Sequence, residues 1–266
     1  MFDLKQTLAN SIVTVLAHAL PRRAAQALVS KLTDREPQII LEAFGPHLNR
    51  RPTLDTTPFD PPINGTFQFE HLAGLFASTS LDHAVISMTI RQAAYLFSLI
   101  RQMQARKVIE IGRYKGGSTF LIAAAMNGNG RLWSIDLGEK EARLYQAGAR
   151  RPFDEQLADV LSRFNLRNVE IIVADSRTVE LETGEVDLVF IDGDHSYEGV
   201  RSDFERFGRR VRIGGAVLLD DAFHEELFRA HADTVGRLVK EVLAEGRFKL
   251  VKVIDRMAHL ERILPD

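Results

Sequence analysis

Three aspartates stand immediately after two apolar segments of the chain. Asp192 follows residues 186–191, and Asp220 and Asp221 follow residues 216–219. Because the carboxyl ends of parallel strands open onto one edge of a sheet, we expect these side chains to converge there. Clustered carboxylates raise one another's pKa unless a cation or strong donors lie between them, and a hard divalent ion such as Mg²⁺ meets that need. The pattern favours a divalent metal site. Binding of a ligand's amino group, helix capping and water binding are the alternatives.

A glycine turn follows another apolar segment. Residues 107–111 lead into Gly112 and Gly116, with the spacing Glu-x-Gly-x-x-x-Gly that begins at Glu110. Glycines between a strand and a helix let a ligand approach the backbone and its N–H groups closely. The spacing differs from the Gly-x-Gly-x-x-Gly of dinucleotide binders, and the sequence contains no Gly-x-x-x-x-Gly-Lys-Ser/Thr phosphate loop. A cofactor without phosphates is favoured, although such glycines also occur for packing reasons.

Two further strand ends carry side chains suited to a nucleoside. Asp136 follows residues 131–135, where a carboxylate can accept hydrogen bonds from both ribose hydroxyls, or can cap a helix. Asp175 and Ser176 follow residues 169–173, where their polar groups can hold an adenine edge or form a turn. Both positions belong to the same predicted sheet edge as the acidic residues.

The rest of the chain predicts the scaffold that brings these strand ends together. Short apolar segments alternate with helical patterns from residue 107 to residue 219, which implies a parallel sheet with right-handed crossovers and helices on both faces. Residues 248–254 and 259–263 lie close together in the chain and predict a closing hairpin. The predicted fold class is therefore α/β: a Rossmann-like, doubly wound, mostly parallel seven-stranded sheet with a C-terminal antiparallel hairpin.

The first 86 residues predict an N-terminal helical extension. Residues 1–45 show helical spacing of apolar residues, and residues 45–65 are rich in Pro, Thr and Asn, as in a linker or an active-site flap. We expect a helical cap and flap over residues 1–86 and a cofactor-binding domain over residues 87–266. The N-terminal helices are a candidate surface for homo-oligomerisation.

Composition and net charge indicate which binding partners and which cellular compartment fit the chain. The chain has 266 residues, of which 45% are hydrophobic and 26% are charged, as in an ordinary globular protein. Its net charge of -2 gives no electrostatic footprint for nucleic acid. The sequence has no cysteine, which excludes disulfides and thiolate sites and fits a cytoplasmic location. The apolar stretch at residues 8–20 is too short and too interrupted to span a bilayer, so we expect no transmembrane segment.

The glycine turn, Asp136 and the motif Asp-Gly-Asp-His-Ser-Tyr at residues 192–197 resemble class I S-adenosylmethionine methyltransferases. The resemblance covers residues 87–263, about two thirds of the chain. Within that superfamily the chain looks similar to the metal-dependent catechol and caffeoyl-CoA type O-methyltransferases and to bacterial relatives with this motif. The family implies a Rossmann-like fold and S-adenosylmethionine as the cofactor.

The resemblance also implies roles for individual residues. It places Tyr114 and Ser118 at the methionine part of the cofactor, and Met88 in contact with the cofactor. It takes one metal ligand from the end of the fourth strand and two from the end of the fifth, which are Asp192, Asp220 and Asp221 here. The chain departs from the family at Asp221, where Asn is usual, and this change adds negative charge to the site.

Methyl transfer from a sulfonium requires an acceptor lone pair in line with the methyl group, so a hydroxyl acceptor benefits from losing its proton. His195 is the candidate base and lies three residues after Asp192, where caffeoyl-CoA type enzymes have a Lys. A structural hydrogen bond is the alternative role for this imidazole. We predict an O-methyltransferase that acts on a small hydroxylated molecule with help from a divalent metal. The alternatives are a cofactor-binding relative of antibiotic hydroxylation and methoxylation enzymes, and a non-catalytic scaffold that retains the nucleotide pocket.

Overall fold

The computed structural model describes residues 67–69, 72, 86, 88–138, 152–223 and 234–265. The α-helices in these ranges are α1 (Ile90–Met103), α2 (Gly117–Met126), α3 (Phe153–Arg163), α4 (Tyr197–Arg206) and α5 (Val235–Ala244). The strands are β1 (Lys107–Ile111), β2 (Arg131–Asp136), β3 (Val169–Val173), β4 (Val186–Ile191), β5 (Val211–Leu219), β6 (Phe248–Ile254) and β7 (Met257–Arg262). Helices separate consecutive parallel strands, as the alternation of the sequence predicts, except between β3 and β4, where residues 174–185 form turns and irregular chain instead of the predicted helix.

The seven strands form one sheet in the order β3-β2-β1-β4-β5-β7-β6. The first five strands in this order pair in parallel, and β7 pairs antiparallel with both β5 and β6. The chain leaves β1 on one side towards β2 and returns on the other side with β4, so the direction of winding reverses between β1 and β4. In open α/β sheets such a reversal creates a crevice at the carboxyl ends of the strands, where ligands bind.

Helix α1 begins at a capping box. Thr89 Oγ1 accepts a hydrogen bond from the backbone N–H of Gln92 at 3.1 Å, and Gln92 Oε1 accepts one from the backbone N–H of Thr89 at 2.9 Å. A cap of this kind contributes about 1 kcal/mol to stability. The helix ends at Gln104, which has a φ of 50°. The capping box fixes the start of the helix and thereby places Gln92 near the functional end of the sheet.

Two apolar layers cover the two faces of the sheet. Neighbouring residues of one strand alternate between them, so that Val108 belongs to the layer with α1, α2 and α3 and Ile109 belongs to the layer with α4 and α5. Each large apolar side chain buried in this way contributes roughly 1.5–3 kcal/mol. The doubly covered sheet explains why its central strands appear in the sequence as continuous apolar runs.

The predicted fold class is confirmed, with three differences in strand boundaries. Strand β2 extends one residue further than predicted, to Asp136. Strand β5 begins at Val211 rather than at residue 216, because Val211 already pairs with Val186 of β4 although Arg212 and two glycines interrupt the apolar pattern. Strand β7 covers Met257–Arg262 rather than residues 259–263.

A few residues of the predicted N-terminal extension are described. The ring of Phe67 meets the rings of Phe120 and Phe164 edge to face, with centroids 5.7 and 5.6 Å apart, so this position packs into the α1–α3 layer. The rest of the predicted cap and flap, including its candidate surface for homo-oligomers, lies outside the described residues, and the boundary at residue 87 stays a prediction. In the described ranges, none of the helices combines the length and the hydropathy needed to cross a membrane.

Candidate functional site

The carboxyl ends of the parallel strands are joined by backbone hydrogen bonds into one continuous edge. The backbone N–H of Asp192 donates to the carbonyl of Ile111 at 2.8 Å, and that of Asp220 donates to the carbonyl of Ile191 at 3.0 Å. The ends of β1, β4 and β5 therefore lie side by side, as predicted. The glycine turn and the acidic residues are brought to the same crevice.

Close packing explains both glycines of the turn. Gly112 has a φ of +89°, and a Cβ at this position would lie 2.1 Å from the carbonyl oxygen of Asp192. Gly116 has a φ of +85° and caps α2, and a Cβ there would lie 2.7 Å from Cδ2 of Leu157. A side chain at Gly112 would push the ends of β1 and β4 apart. This packing requirement holds independently of any cofactor.

Asp136 organises the glycine turn from the end of β2. Its Oδ2 accepts backbone N–H groups of Arg113 at 2.8 Å and Tyr114 at 3.0 Å, and its Oδ1 accepts the backbone N–H of Gly138 at 2.7 Å. Charge-assisted hydrogen bonds of this kind are worth about 1.5–3 kcal/mol each. The carboxylate is half-buried and binds amides of the turn rather than capping a helix. Its predicted contact with a ribose would add to this structural role.

Glu110 lies beneath the turn and is fully buried. Its Oε2 accepts hydrogen bonds from the hydroxyls of Thr119 at 2.5 Å and Ser134 at 2.6 Å. Burial raises the pKa of Glu110, while hydrogen bonds from Ser118, Ser134 and Thr119 oppose the rise. Glu110 therefore ties β1 to β2 and to the first turn of α2.

Arg113, which the sequence reasoning missed, fixes the same turn from inside. Its guanidinium is buried and pairs with both carboxylate oxygens of Asp154 on α3, at 2.7 and 2.9 Å. A third nitrogen donates to the carbonyl of Ser134 at 2.7 Å. The sequence does not reveal this ion pair, because Arg113 and Asp154 are far apart in the chain and meet only through the packing of α3.

The end of β3 carries a charged turn. Asp175 forms an ion pair with Arg177 at 2.6 Å and also accepts the backbone N–H of Arg177 at 2.9 Å. These hydrogen bonds lower the pKa of Asp175 to about 2. Ser176 donates to Asp203, a buried carboxyl group on α4 whose pKa burial raises to about 6. The turn interpretation accounts for the contacts of Asp175, and the adenine contact stays a prediction.

His195 lies between two of the predicted site carboxylates. Its Nε2 is 3.3 Å from Asp192 Oδ1, and its Nδ1 is 3.3 Å from Asp221 Oδ2. The hydroxyl of Thr234 donates to the backbone carbonyl of His195 at 2.5 Å and holds the loop against α5. Burial by itself lowers the pKa of His195, but hydrogen bonding of the protonated ring to the Asp192 carboxylate and the charges of Asp192, Asp221 and Asp220 raise it above its ordinary value.

Asp220 is the buried member of the acidic set. Its Oδ1 accepts a hydrogen bond from Gln92 Nε2 at 2.6 Å, and its Oδ2 lies 3.6 Å from Nε of Arg256. The same Arg256 nitrogen lies 2.8 Å from Asp221 Oδ1. Burial and, to a smaller extent, the charge of Asp192 raise the pKa of Asp220 to about 7, although the positive charge of Arg256 opposes the rise. Gln92 and Arg256 are site residues that the sequence reasoning did not identify.

Met88 differs from the other predicted cofactor contacts. Its side chain is buried within the apolar layer of α1, α2 and α3. The arrangement gives Met88 a packing role, and a contact with the cofactor stays a prediction.

Known proteins share both the sequence and the fold of this region. Residues 109–222 match a family described as a methyltransferase domain. The chain is 31% identical over 162 residues to a catechol O-methyltransferase of Niastella koreensis, covering 60% of this chain and 69% of that protein. It is 32% identical over 163 residues to a catechol O-methyltransferase of Mycobacterium tuberculosis, covering 60% of this chain and 68% of that protein. The chain belongs to the class I S-adenosylmethionine-dependent O-methyltransferases.

A solved structure agrees with the fold of this O-methyltransferase. The crystal structure of a putative caffeoyl-CoA O-methyltransferase from Staphylococcus aureus superposes with a TM-score of 0.52 at 15% identity, covering 66% of this chain and 85% of that chain. The predicted superfamily, enzyme class and cofactor, S-adenosylmethionine, are confirmed. The relatives therefore support an enzyme rather than a non-catalytic scaffold.

The predicted metal site of this O-methyltransferase needs a separate test, because its residues are already engaged. Carboxylate oxygens suit Mg²⁺ chemically. However, each of the three aspartates already faces a polar side chain of the protein: His195 for Asp192, Gln92 for Asp220, and Arg256 for Asp221. Within the described ranges, no group of three or more His, Asp or Glu side chains is arranged to hold a metal ion. As arranged, the acidic set does not fit a divalent ion.

Proposed function

We propose that this enzyme transfers a methyl group from S-adenosylmethionine to a hydroxyl oxygen of a small molecule, with His195 as the base. The observation that carries the proposal is the position of His195. It lies at the reversal of the sheet beside the glycine turn, and both of its ring nitrogens face carboxylates at 3.3 Å. A histidine held in this way can take a proton close to where the methyl donor binds.

The glycine turn and its neighbours are the proposed cofactor site. When bound, S-adenosylmethionine supplies a methyl group on a positively charged sulfur. Asp136 accepts the ribose hydroxyls in this proposal, and Gly112 and Gly116 leave the backbone open to the ligand. The remaining proposed cofactor contacts are Met88, Glu110, Tyr114, Ser118, Asp175, Ser176 and Asp192. Glu110 and Arg113 support the turn from below through the contacts described above.

Asp221 and Asp192 set the state of the proposed base. With a proton on Nδ1 directed at Asp221, His195 Nε2 is the atom that accepts the proton of the acceptor hydroxyl. Asp192 then stabilises the imidazolium that forms, since its Oδ1 lies 3.3 Å from that nitrogen. A group positioned in this way typically contributes 10²–10⁴-fold to the rate, by order of magnitude about 3–5 kcal/mol.

The acceptor class is proposed from the relatives. The proteins from Niastella koreensis and Mycobacterium tuberculosis are catechol O-methyltransferases by name, so catechols are the first acceptors to test. Assistance by a divalent metal and the absence of a nucleic-acid partner stay predictions from the sequence. No step above requires a metal.

The experiment is an acceptor screen with methyl-labelled S-adenosylmethionine, followed by mass spectrometry of the products. We expect label on an oxygen of a catechol or another small hydroxylated molecule. His195→Gln should lower kcat about 10²-fold or more while leaving the Kd for S-adenosylmethionine unchanged. Label found only on nitrogen or carbon acceptors, or an unchanged kcat in His195→Gln, would overturn the proposal.

A further inference from the structure

The acidic set of the site has a resident cation. Asp192, Asp220 and Asp221 bring three carboxyl groups to one sheet edge, and the guanidinium of Arg256 lies against two of them, at 2.8 Å from Asp221 and 3.6 Å from Asp220. Building on the proposed function, we infer that Arg256 supplies the positive charge that the predicted divalent ion would otherwise bring. Arg256 is a positioning residue that keeps Asp220 and Asp221 in place around His195.

The turn between β6 and β7 is built to deliver this side chain. Asp255 precedes Arg256 in the turn, has a φ of 51°, and is held by two residues at the start of α1. Thr89 Oγ1 donates to Asp255 Oδ2 at 2.6 Å, and Arg91 forms an ion pair with Asp255 Oδ1 at 2.8 Å. The hairpin turn is thereby fastened to the capping box of α1, next to Gln92, which itself binds Asp220.

A second anchor ties the turn to the loop after β5. The backbone N–H of Phe223 donates to the carbonyl of Arg256 at 3.1 Å, two residues beyond Asp221. Asp221 itself has a φ of 57°, a left-handed conformation that turns the chain sharply after β5. The carboxylates and the guanidinium thus lie on two short loops, the β6–β7 turn and the loop after β5, which are hydrogen-bonded to each other. Their contact follows from backbone anchors and not only from the reach of a flexible side chain.

The charge balance follows from these contacts. A divalent ion between Asp220 and Asp221 would have to share the carboxylate oxygens with Arg256, and two cations at such a distance repel strongly. A guanidinium is always protonated and can bridge neighbouring carboxylates. Asp221 is the closer partner of Arg256, at 2.8 Å. The carboxylate of Asp221 and the guanidinium of Arg256 therefore compensate each other.

The inference has two consequences for the protein. Removal of divalent metals should leave turnover intact, because the charge of Arg256 is part of the chain. Removal of Arg256 should leave Asp220 and Asp221 uncompensated, and the variant should then acquire affinity for a divalent cation. A merely structural arginine at the protein surface would produce neither result.

The test is a titration with Mn²⁺, followed by the electron paramagnetic resonance of free Mn²⁺ in full-length protein. Arg256→Ala should bind Mn²⁺ about tenfold or more tightly than the wild type, because a repelling cation has been removed. Arg256→Lys, which retains the charge, should resemble the wild type. Arg237→Ala is the control, since Arg237 is an exposed arginine that pairs with Glu241 and not with a carboxylate of the acidic set. Circular dichroism confirms that each variant is folded.

Turnover gives a second readout once an acceptor is known. Wild-type turnover should be indifferent to a chelator, whereas Arg256→Ala should lose turnover and regain part of it with added Mg²⁺. Equal Mn²⁺ affinities in wild type and Arg256→Ala, or wild-type turnover abolished by the chelator, would overturn the inference. The Mn²⁺ titration needs neither cofactor nor acceptor. A failure of the proposed methyl transfer is therefore distinguishable from a failure of this inference.

Discussion

Replacement of Gly112 by Ala tests how closely the cofactor turn must approach β4. The new Cβ would lie 2.1 Å from the carbonyl oxygen of Asp192 and 2.7 Å from the backbone nitrogen of Gly193, where ordinary contacts are 3.4–4 Å. The strand ends must therefore separate by about 1 Å or more, since the interior is already closely packed. That movement breaks the hydrogen bond from Asp192 to Ile111, which is worth about 1 kcal/mol.

Backbone strain adds to this loss. At a φ of +89° an alanine is unfavourable by roughly 1–2 kcal/mol. With the clash, the total destabilisation of Gly112→Ala is about 4 kcal/mol, which corresponds to a fall in Tm of about 8–16 °C for a domain of this size. The displacement also moves Asp192 away from His195, so the affinity for S-adenosylmethionine and turnover should fall together.

Gly246→Ala provides the matched control. Gly246 has a φ of +75°, but a Cβ there meets nothing within 4 Å. The Gly246→Ala variant therefore has the backbone strain without a steric clash, and its Tm should fall by only about 2–8 °C. Thermal unfolding by circular dichroism and calorimetric titration with S-adenosylmethionine measure both effects. Equal losses of Tm in the two variants, or full cofactor affinity in Gly112→Ala, would refute the argument from close approach.

Three further predictions concern single side chains. Asp136→Ala should weaken S-adenosylmethionine binding about 100-fold in calorimetry, because the turn amides and the ribose lose a charged acceptor. Asp187→Ala is its control, since Asp187 also accepts two backbone N–H groups, but at the opposite end of the sheet. Because the pKa of His195 is raised above its ordinary value of 6.5, its neutral form is still gaining population above that pH, so kcat should continue to increase as pH rises beyond 6.5 in the wild type and not in His195→Gln. Burial lowers the pKa of His259 to about 4, so the neutral imidazole stabilises the fold above pH 6.5 and about 3 kcal/mol is lost as pH falls from 6.5 to 4. Urea unfolding of the wild type and of His259→Gln at both pH values measures this change in the free energy of unfolding.

Each of these predictions has a contradicting result. Equal cofactor affinities in Asp136→Ala and Asp187→Ala would remove the ribose assignment. A kcat that does not change with pH in the wild type would contradict the assignment of His195 as the base. A pH dependence of unfolding that is the same in wild type and His259→Gln would show that the imidazole beside Tyr95, at 2.7 Å, does not control acid stability.

The sheet could be predicted from the sequence because its central strands are buried on both faces. The central strands β1 and β4 have the predicted limits, and so do the edge strands β3 and β6, since each of the four is bounded by polar or turn residues. The first half of β5 was not predicted, because Arg212, Gly214 and Gly215 interrupt its apolar pattern although its backbone still pairs with β4.

The site could be predicted in part for the same reason. Parallel strands must end at one edge, so Asp192, Asp220 and Asp221 were expected to converge. In the structure His195 lies 3.3 Å from Asp192 and from Asp221, and Arg256 lies against Asp220 and Asp221. Arg256 could not be predicted, because its position depends on how the hairpin turn docks on α1 and on the loop after β5. Contacts between residues so far apart in the chain leave no spacing in the sequence.

The most direct test of the whole account is a calorimetric titration of the full-length protein with S-adenosylmethionine, carried out after chelation and again with added Mg²⁺. We predict saturable binding with one site per chain and the same affinity in both conditions, because the cofactor is held by the glycine turn and Asp136 and the acidic set is already compensated by Arg256. No saturable binding by protein that is folded would contradict the cofactor site. Binding that appears only with Mg²⁺ would contradict the role given to Arg256.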